Sequence, residues 1–240
     1  KQIFSFKTEK TKLEKDIERI KAKHQNLQKS LTERELLIKE IHHRVKNNMQ
    51  VITSLINLRL NDRNTDVQPE YSYYMTDLMN KIRTMALIHE VVDESSDFSR
   101  IDIIKYTQRI TELACQAYEI DISNVQYKFK DKPLYVDLRK GISCGLIIHE
   151  LITNAIKHGF DEKLDGNNLI SIGIVKKKNK PIELVIEDNG KPFKEDFDLE
   201  KSNSFGMSII GTLVEQLDGS LSLEKAKKRY SLKFSANGKA

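Results

Sequence analysis

From Leu13 onward, Leu13, Ile17, Ile20, Leu27, Leu31, Ile38, Ile41 and Val45 recur on a four-three spacing, with His24 and Arg34 as polar interruptions. This heptad seam predicts a parallel two-stranded coiled coil, and no Pro or Gly occurs before Pro69 to break it. Around Leu36, Leu37 and Ile38 the apolar face widens, and it stays wide through Val51, Ile52, Leu55, Ile56 and Leu58. A two-stranded seam there becomes a bundle face. The polar stretch Asn61 to Gln68, closed by Pro69, predicts a turn. A second helix follows from about Glu70 to Val92, with Tyr74, Leu78, Ile82, Met85 and His89 at helical spacing. Neither helix can bury so wide a stripe alone, so an antiparallel hairpin that dimerises into four helices is expected.

Beyond Ile101 the pattern turns mixed. Ile101 to Tyr118 reads as a helix, Val125 to Phe129 and Leu134 to Val136 as short strands, and Gly141 to His158 as a helix with an apolar face. Leu169 to Val175 and Ile182 to Glu187 form a predicted hairpin around Lys176 to Lys180. Met207 to Leu217 returns to helix, with Gly219 as its expected stop, and Leu221 to Leu223 and Tyr230 to Phe234 close the sheet. The expected fold class is α+β: a coiled coil running into a two-helix hairpin, then an α/β sandwich without strict strand–helix alternation.

Composition adds boundaries to this picture. The 240 residues can hold one large or two modest cores, and 31% of them are charged. No apolar run approaches the roughly 18 residues of a membrane span. The chain begins with Lys1 and carries no visible signal peptide, so a cytoplasmic fragment of a longer protein is expected, with any sensor or membrane segment upstream. Cys115 and Cys144 lack metal-like spacing and are expected to be buried reduced thiols. The net charge of +5 comes from lysines interleaved with acids rather than from a basic block, which argues against nucleic acid as a partner.

Four clusters carry candidate chemistry. In Glu40-Ile41-His42-His43-Arg44-Val45, each residue turns about 100° on a helix. If Ile41 and Val45 set the buried direction, His43 lies nearly opposite, where its imidazole can act as a nucleophile and carry a labile phosphoryl group. In His149-Glu150-Leu151-Ile152-Thr153-Asn154-Ala155-Ile156-Lys157-His158, the four-residue spacing sets Glu150, Asn154 and His158 on one face. The Asn154 carboxamide suits Mg2+, which takes few protein ligands, while Lys157 and His158 can offer positive charge to phosphate oxygens. Glu187-Asp188-Asn189-Gly190 ends a strand, so Asp188 can accept the exocyclic amine of an adenine and Gly190 lets the backbone come near the base. Ser204-Phe205-Gly206-Met207 opens a helix whose first amides can bind phosphate. Taken singly, each also fits an ordinary exposed histidine, an amphipathic helix, a turn or a cap.

Their order resembles a family. The run EIHHRVKNNMQVITSLINL is similar to the phosphoacceptor helix of the histidine-kinase subgroup that carries H-R-V-K-N-N (HWE-like), and Lys81 to Glu90 resembles its second dimerisation helix. His149 to His158 resembles the N box of Bergerat-type (GHKL) ATP sites, with His149 in place of its first Asn. Asp188 to Gly190 resembles the D-x-G box, and Ser204 to Ile209 is a reduced S-x-G-L-x-L box. Lys191 to Asn203 then corresponds to the ATP lid, and the closing G-T-x-F is not evident near Arg229-Tyr230-Ser231.

The resemblance implies a sensor histidine kinase that phosphorylates itself on His43 with ATP and Mg2+ and passes the group to an aspartate of a response regulator receiver domain. It implies a coiled-coil linker over 1–34, a dimerisation and phosphotransfer domain over 35–98 and a catalytic ATP-binding domain over 99–240, acting as a homodimer. Arg44 stands where commoner kinases place an acidic base, so Glu40, one turn before His43, becomes the candidate to orient the imidazole. Asn47 corresponds to the amide that positions water for dephosphorylating the regulator. Glu150 and Asn154 are the candidate Mg2+ ligands, with Glu150 also a candidate for the chemical step. Lys157, His158, Asp188, Gly190, Gly206 and Met207 are the candidate nucleotide contacts. The competing expectation is a degenerate kinase that binds nucleotide, or none, and signals by rearranging its helices.

Overall fold

A computed structural model describes residues 2–60, 69–93, 100–129, 132–160, 167–193, 197, 199 and 205–236. Two compact units, Lys1–Arg44 and Val45–Ala240, divide the chain. The first helix, α1 (Gln2–Leu60), runs through the boundary without a break, as the missing Pro and Gly predict. Within the first unit, Leu13, Ile17, Ile20, Leu27, Leu31 and Ile38 are 42 to 65% exposed. Six large apolar side chains in water at heptad spacing are the pattern of a seam that a second helix covers.

In the second unit, α2 (Pro69–Asp93) runs one residue beyond the expected helix at each end. Lys46 of α1 pairs with Glu90 of α2 at 2.9 Å. The expected turn over 61–68 lies outside the described residues. The expected face of α2 is buried only in its second half, with Met85 against the core and His89 buried; Tyr74 and Leu78 are 54% and 45% exposed, and Met79, Thr84, Ile88, Val91 and Val92 of a neighbouring face are buried. The reason is that α2 lays this other face into the core of the α/β part, where Ile88, Val91 and Val92 join one continuous apolar cluster. Tyr74 and Leu78, with Val51 and Ile52 of α1, remain as exposed apolar positions of the hairpin.

Helix α3 (Ile103–Ala117) begins later than its apolar pattern suggests, because Arg100–Asp102 forms a short strand, β1. Asp102 is the cause. Its carboxylate accepts the Ile104 N–H at 3.1 Å as an N-cap and the Leu134 N–H at 3.0 Å, tying the helix start to the segment ahead of β3 (Tyr135–Asp137), which pairs antiparallel with β1. Asp137 likewise caps α4 (Leu138–Asn154) through the Lys140 N–H at 2.9 Å, so α4 starts before the expected Gly141. Its last expected turn is not α-helical: Ala155–Gly159 is a π turn, with the Phe160 N–H bonded to the Ala155 carbonyl at 3.0 Å.

The remaining strands are β2 (Val125–Lys128), β4 (Ile170–Lys176), β5 (Ile182–Asp188), β6 (Ser220–Glu224) and β7 (Arg229–Phe234), with α5 (Phe205–Gln216) between β5 and β6. They form one sheet in the order β2-β4-β5-β7-β6, parallel at β2–β4 and antiparallel elsewhere. Along β5, Ile182, Leu184, Ile186 and Asp188 face inward by strict alternation. The apolar members meet Ile147, Ile148, Leu151 and Ile152 of α4 in the core, and the same period brings the Asp188 carboxylate to the buried end of the strand. Cys115 and Cys144 are buried free thiols, the latter pushed well above its ordinary pKa by full burial.

Gly219 is not the left-handed stop of α5. That conformation falls on Asp218 (φ 49), and the Gly219 N–H returns to the Val214 carbonyl at 3.1 Å as in a Schellman cap. Glycine is required at 219 for closeness, since a Cβ there would meet the Lys233 carbonyl oxygen at 2.8 Å. A tighter approach occurs at Gly145 of α4, where a Cβ would lie 2.5 Å from the Tyr106 ring, whose hydroxyl donates to the Thr84 carbonyl at 2.9 Å. Alanine favours helix by about 1 kcal/mol. Overpacking against a ring held in place outweighs that gain, so Gly145→Ala is expected to lower the unfolding free energy by about 2 kcal/mol in a denaturant titration.

Candidate functional site

The second unit brings three of the four candidate clusters together. Helix α4 is buried along its length, and near its C-terminal end Asn154 is half-buried, with its carboxamide nitrogen 4.0 Å from the Met207 sulfur in the first turn of α5. Gly206 lies against α4 so closely that a Cβ would stand 2.6 Å from Glu150 Oε2. Across the site, a Cβ on Gly159 would meet Asp188 Oδ1 at 2.8 Å, and one on Gly190 would overlap the Gly159 carbonyl. Glycine at 159, 190 and 206 therefore lets three backbone segments converge where any side chain would fill the space. Asp188 closes its own turn by accepting the Gly190 N–H at 2.9 Å. Asn189 organises the strand entry, accepting the Leu169 N–H at 2.7 Å and donating to the Asn167 carbonyl at 2.8 Å.

Two candidate roles in the N-box segment need correcting. The equal spacing that set Glu150, Asn154 and His158 on one solvated face fails, because Glu150 is buried and the π turn changes the period after Asn154. The same turn carries Lys157 away: its ammonium lies 3.0 Å from Asp77 Oδ1 on α2 and 5.3 Å above the Tyr118 ring. His158 is exposed, and desolvation together with the Lys157 charge lowers its pKa, leaving the imidazole neutral near pH 7. Lys157 is thus engaged by protein groups in this arrangement, and His158 adds no positive charge.

Asp77 and Lys81, which the sequence did not single out, are central to the site. Lys81 pairs with Asp77 at 2.5 Å, one turn away, and with Glu150 Oε1 at 3.0 Å. The four side chains are 18% (Asp77), 8% (Lys81), 6% (Glu150) and 14% (Lys157) exposed, so they form a desolvated alternating row. Burial pushes the Asp77 carboxyl up, but Lys81 and Lys157 outweigh it and hold it below the carboxylate range. Glu150 behaves the same way, its burial outweighed by the adjoining His149 and Lys81. Two charged positions one turn apart in an otherwise apolar helical stripe were the available signal. His149 itself is 1% exposed, with Nδ1 4.0 Å from Glu150 Oε1 and neither ring nitrogen within a hydrogen bond among the described residues.

On α1, His43 is exposed and His42 is 7% exposed. The choice of the outward histidine agrees with helical geometry, although the buried direction does not pass through Ile41, which is 59% exposed. Glu40 Oε1 accepts from Arg44 Nε at 2.7 Å, an exposed i,i+4 pair of small net strength. Asn47 is exposed on the next turn. Of the candidate lid over 191–203, Lys191, Pro192, Phe193, Phe197 and Leu199 are described, and Phe193 meets the Tyr230 ring edge-on at 6.1 Å between centroids. Ser204 lies outside the described residues.

The chain is similar to known proteins over most of its length. Residues 40–118 match the family model described as "Histidine kinase" (HisKA_2). Over 203 residues, 84% of the chain, it is 30% identical to the sensor histidine kinase PdtaS of Mycobacterium tuberculosis strain H37Rv. Over 200 residues it is 24% identical to Blue-light-activated histidine kinase 2 of Erythrobacter litoralis. The chain spans 39% and 55% of these relatives' lengths. Among solved structures, the histidine kinase domain of the Erythrobacter litoralis EL346 blue-light activated histidine kinase superposes with a TM-score of 0.59 at 18% identity, covering 83% of this chain and 93% of that one. The class is therefore that of histidine kinase domains, a helical hairpin followed by a GHKL-type α/β fold. Within it, residues 40–118 carry a HisKA_2 (HWE) histidine kinase domain.

The charged row gives the site a pH signature. Asp77 and Glu150 have lowered folded pKa values, so their contribution is full above the unfolded values of 3.8 and 4.5 and is lost as pH falls through the folded ones. The melting temperature of the chain is expected to fall steeply below about pH 4, and Asp77→Asn should flatten that fall relative to wild type when both are followed by circular dichroism.

Proposed function

We propose that this chain is the signalling core of a two-component sensor kinase, which transfers the terminal phosphoryl group of ATP to His43 and then to an aspartate of a response regulator. The observation that carries the reading is the convergence of Asn154, Asp188, Gly190 and Gly206 on one glycine-lined space between α4, β5 and α5. Each contributes what a nucleotide needs: a carboxylate for the amine of the base, backbone close enough to touch it, and a helix N-terminus for phosphate. On this reading the parts are a coiled-coil linker over 1–34, the dimerisation and phosphotransfer hairpin over 35–98 and the ATP-binding domain over 99–240.

Among the described residues no group of three or more His, Cys, Asp or Glu could hold a metal. Mg2+ keeps several of its waters and takes nucleotide phosphates with one or two protein oxygens. Asn154 would hold it, with Glu150 as second ligand only if its carboxylate leaves Lys81. The ion would offset charge on the transferring phosphoryl group. His43 accepts that group because it is exposed and one of its imidazole nitrogens carries a lone pair when neutral. Glu40 can orient that imidazole once its weak pair with Arg44 opens. Asn47 would direct water at the phosphorylated regulator.

The exposed seam of α1 and the apolar positions Val51, Ile52, Tyr74 and Leu78 support a homodimer in which a second copy covers them. An upstream sensor segment fits the share of the relatives that the chain spans. No described helix is long and apolar enough to cross a membrane. A degenerate, nucleotide-responsive module would keep the same fold, and labelling separates the two readings. Incubated with Mg2+ and γ-labelled ATP, the wild-type chain should take up acid-labile, base-stable label, and His43→Gln and Asn154→Ala should lose it by at least about a hundredfold. No label in wild type, with nucleotide bound, would favour the module. With a labelled regulator, Asn47→Ala should slow release of phosphate, and an unchanged rate would remove Asn47 from that role.

A further inference from the structure

The β5–β7 ladder ends on Glu187 opposite Arg229, whose side chains pair at 2.7 Å. One rung beyond, the antiparallel register sets Lys228 opposite Asp188, and here the backbone does something unusual. Lys228 closes the single 3-10 turn Lys225–Lys227 in the left-handed conformation (φ 49), which a lysine adopts at a cost. The conformation carries its side chain inward. Its ammonium lies 3.3 Å from Asp188 Oδ1 and also donates to the Gly190 carbonyl, with the two side chains only 12% and 7% exposed. Asp188 Oδ1 thus receives both the Gly190 N–H and Lys228, and Oδ2 takes part in neither bond.

We propose that Lys228 is a positioning residue of the base-binding end of the site, fixing the Asp188 carboxylate and the Gly190 backbone as a unit so that Oδ2 is presented to the exocyclic amine of adenine. It does so from the place where the closing G-T-x-F pattern is missing, just before Tyr230. An ammonium suits the task because it has three donors and no acceptor. It can bind the carboxylate and the carbonyl together, yet cannot compete with Asp188 for the amine. The two-point bridge restrains both parts of the turn that meets the base, which reduces the ordering needed on binding. Lys228 also borders a cavity of about 350 Å3 lined by Gln126, Lys128, Ser171 and Asn189, so water can refill the space left by a shorter side chain.

The proposal rests on the ATP-site reading, and the test keeps the two apart. Asparagine tolerates the left-handed conformation and is too short to reach Asp188, so Lys228→Asn should fold, whereas Lys228→Arg keeps the donors. Binding of Mg-ATP and of Mg-purine riboside triphosphate, which lacks the exocyclic amine, is measured by calorimetry on the whole chain. Lys228→Asn should weaken ATP about tenfold and leave the amine-free analogue nearly unaffected, with Lys228→Arg within about threefold of wild type for both. Equal losses for the two nucleotides would mean a merely structural role, and no loss for either would mean none; both overturn the proposal alone. A folded wild-type chain that binds neither nucleotide overturns the ATP-site reading itself, and the proposal with it.

Discussion

The architecture depends on burying a helix that carries charge. Helix α4 is enclosed by the sheet, α2, α3 and α5, and it holds both the largest share of the core and the glutamate and asparagine of the site. A carboxylate cannot stay ionised in such a place without a partner. Lys81 supplies that partner from α2, and Asp77 in turn answers Lys157, so neutralising one helix requires docking another. This is why α2, which by its apolar spacing reads as a bundle helix only, is also part of the wall of the α/β domain. The apolar contacts of Ile88, Val91 and Val92 give that docking its strength, and the alternating charges give it its register.

Helix α2 divides its surface between two partners. One face is committed to α3 and α4, while Tyr74 and Leu78 stay exposed on another. The helix thus touches the α/β part with one side and offers apolar surface on another. The contact made by Lys157 bears on the same point: while Asp77 holds it, that ammonium is not directed at phosphate.

Much of this was legible in the order of residues, because period and punctuation are local. The strands alternated, the long helix lacked breakers, and the glycines of the three boxes stood where backbone must come close. What misled was also local. Ile101 has a helical apolar neighbourhood, yet Asp102 stops the helix short by capping it. Four-residue spacing set Glu150, Asn154 and His158 on one face, but one inserted π turn broke the period. Gly219 was the expected helix stop, and its N–H does close the helix end, but Asp218 takes the left-handed conformation and Gly219 is glycine because of the Lys233 carbonyl. Asp77 and Lys81 show in the sequence only as two charges one turn apart, and they and Lys228 gain their meaning from elements 38 to 80 positions away.

On the proposed reading His43, and not its buried neighbour His42, receives the phosphoryl group of ATP. Tandem mass spectrometry of the chain after reaction with Mg-ATP, kept at neutral pH so that the phosphoramidate survives, tests this most directly. Phosphate is expected on His43 alone; phosphate mapped to His42 or to a hydroxyl side chain, with His43 unmodified, would rule His43 out as the acceptor.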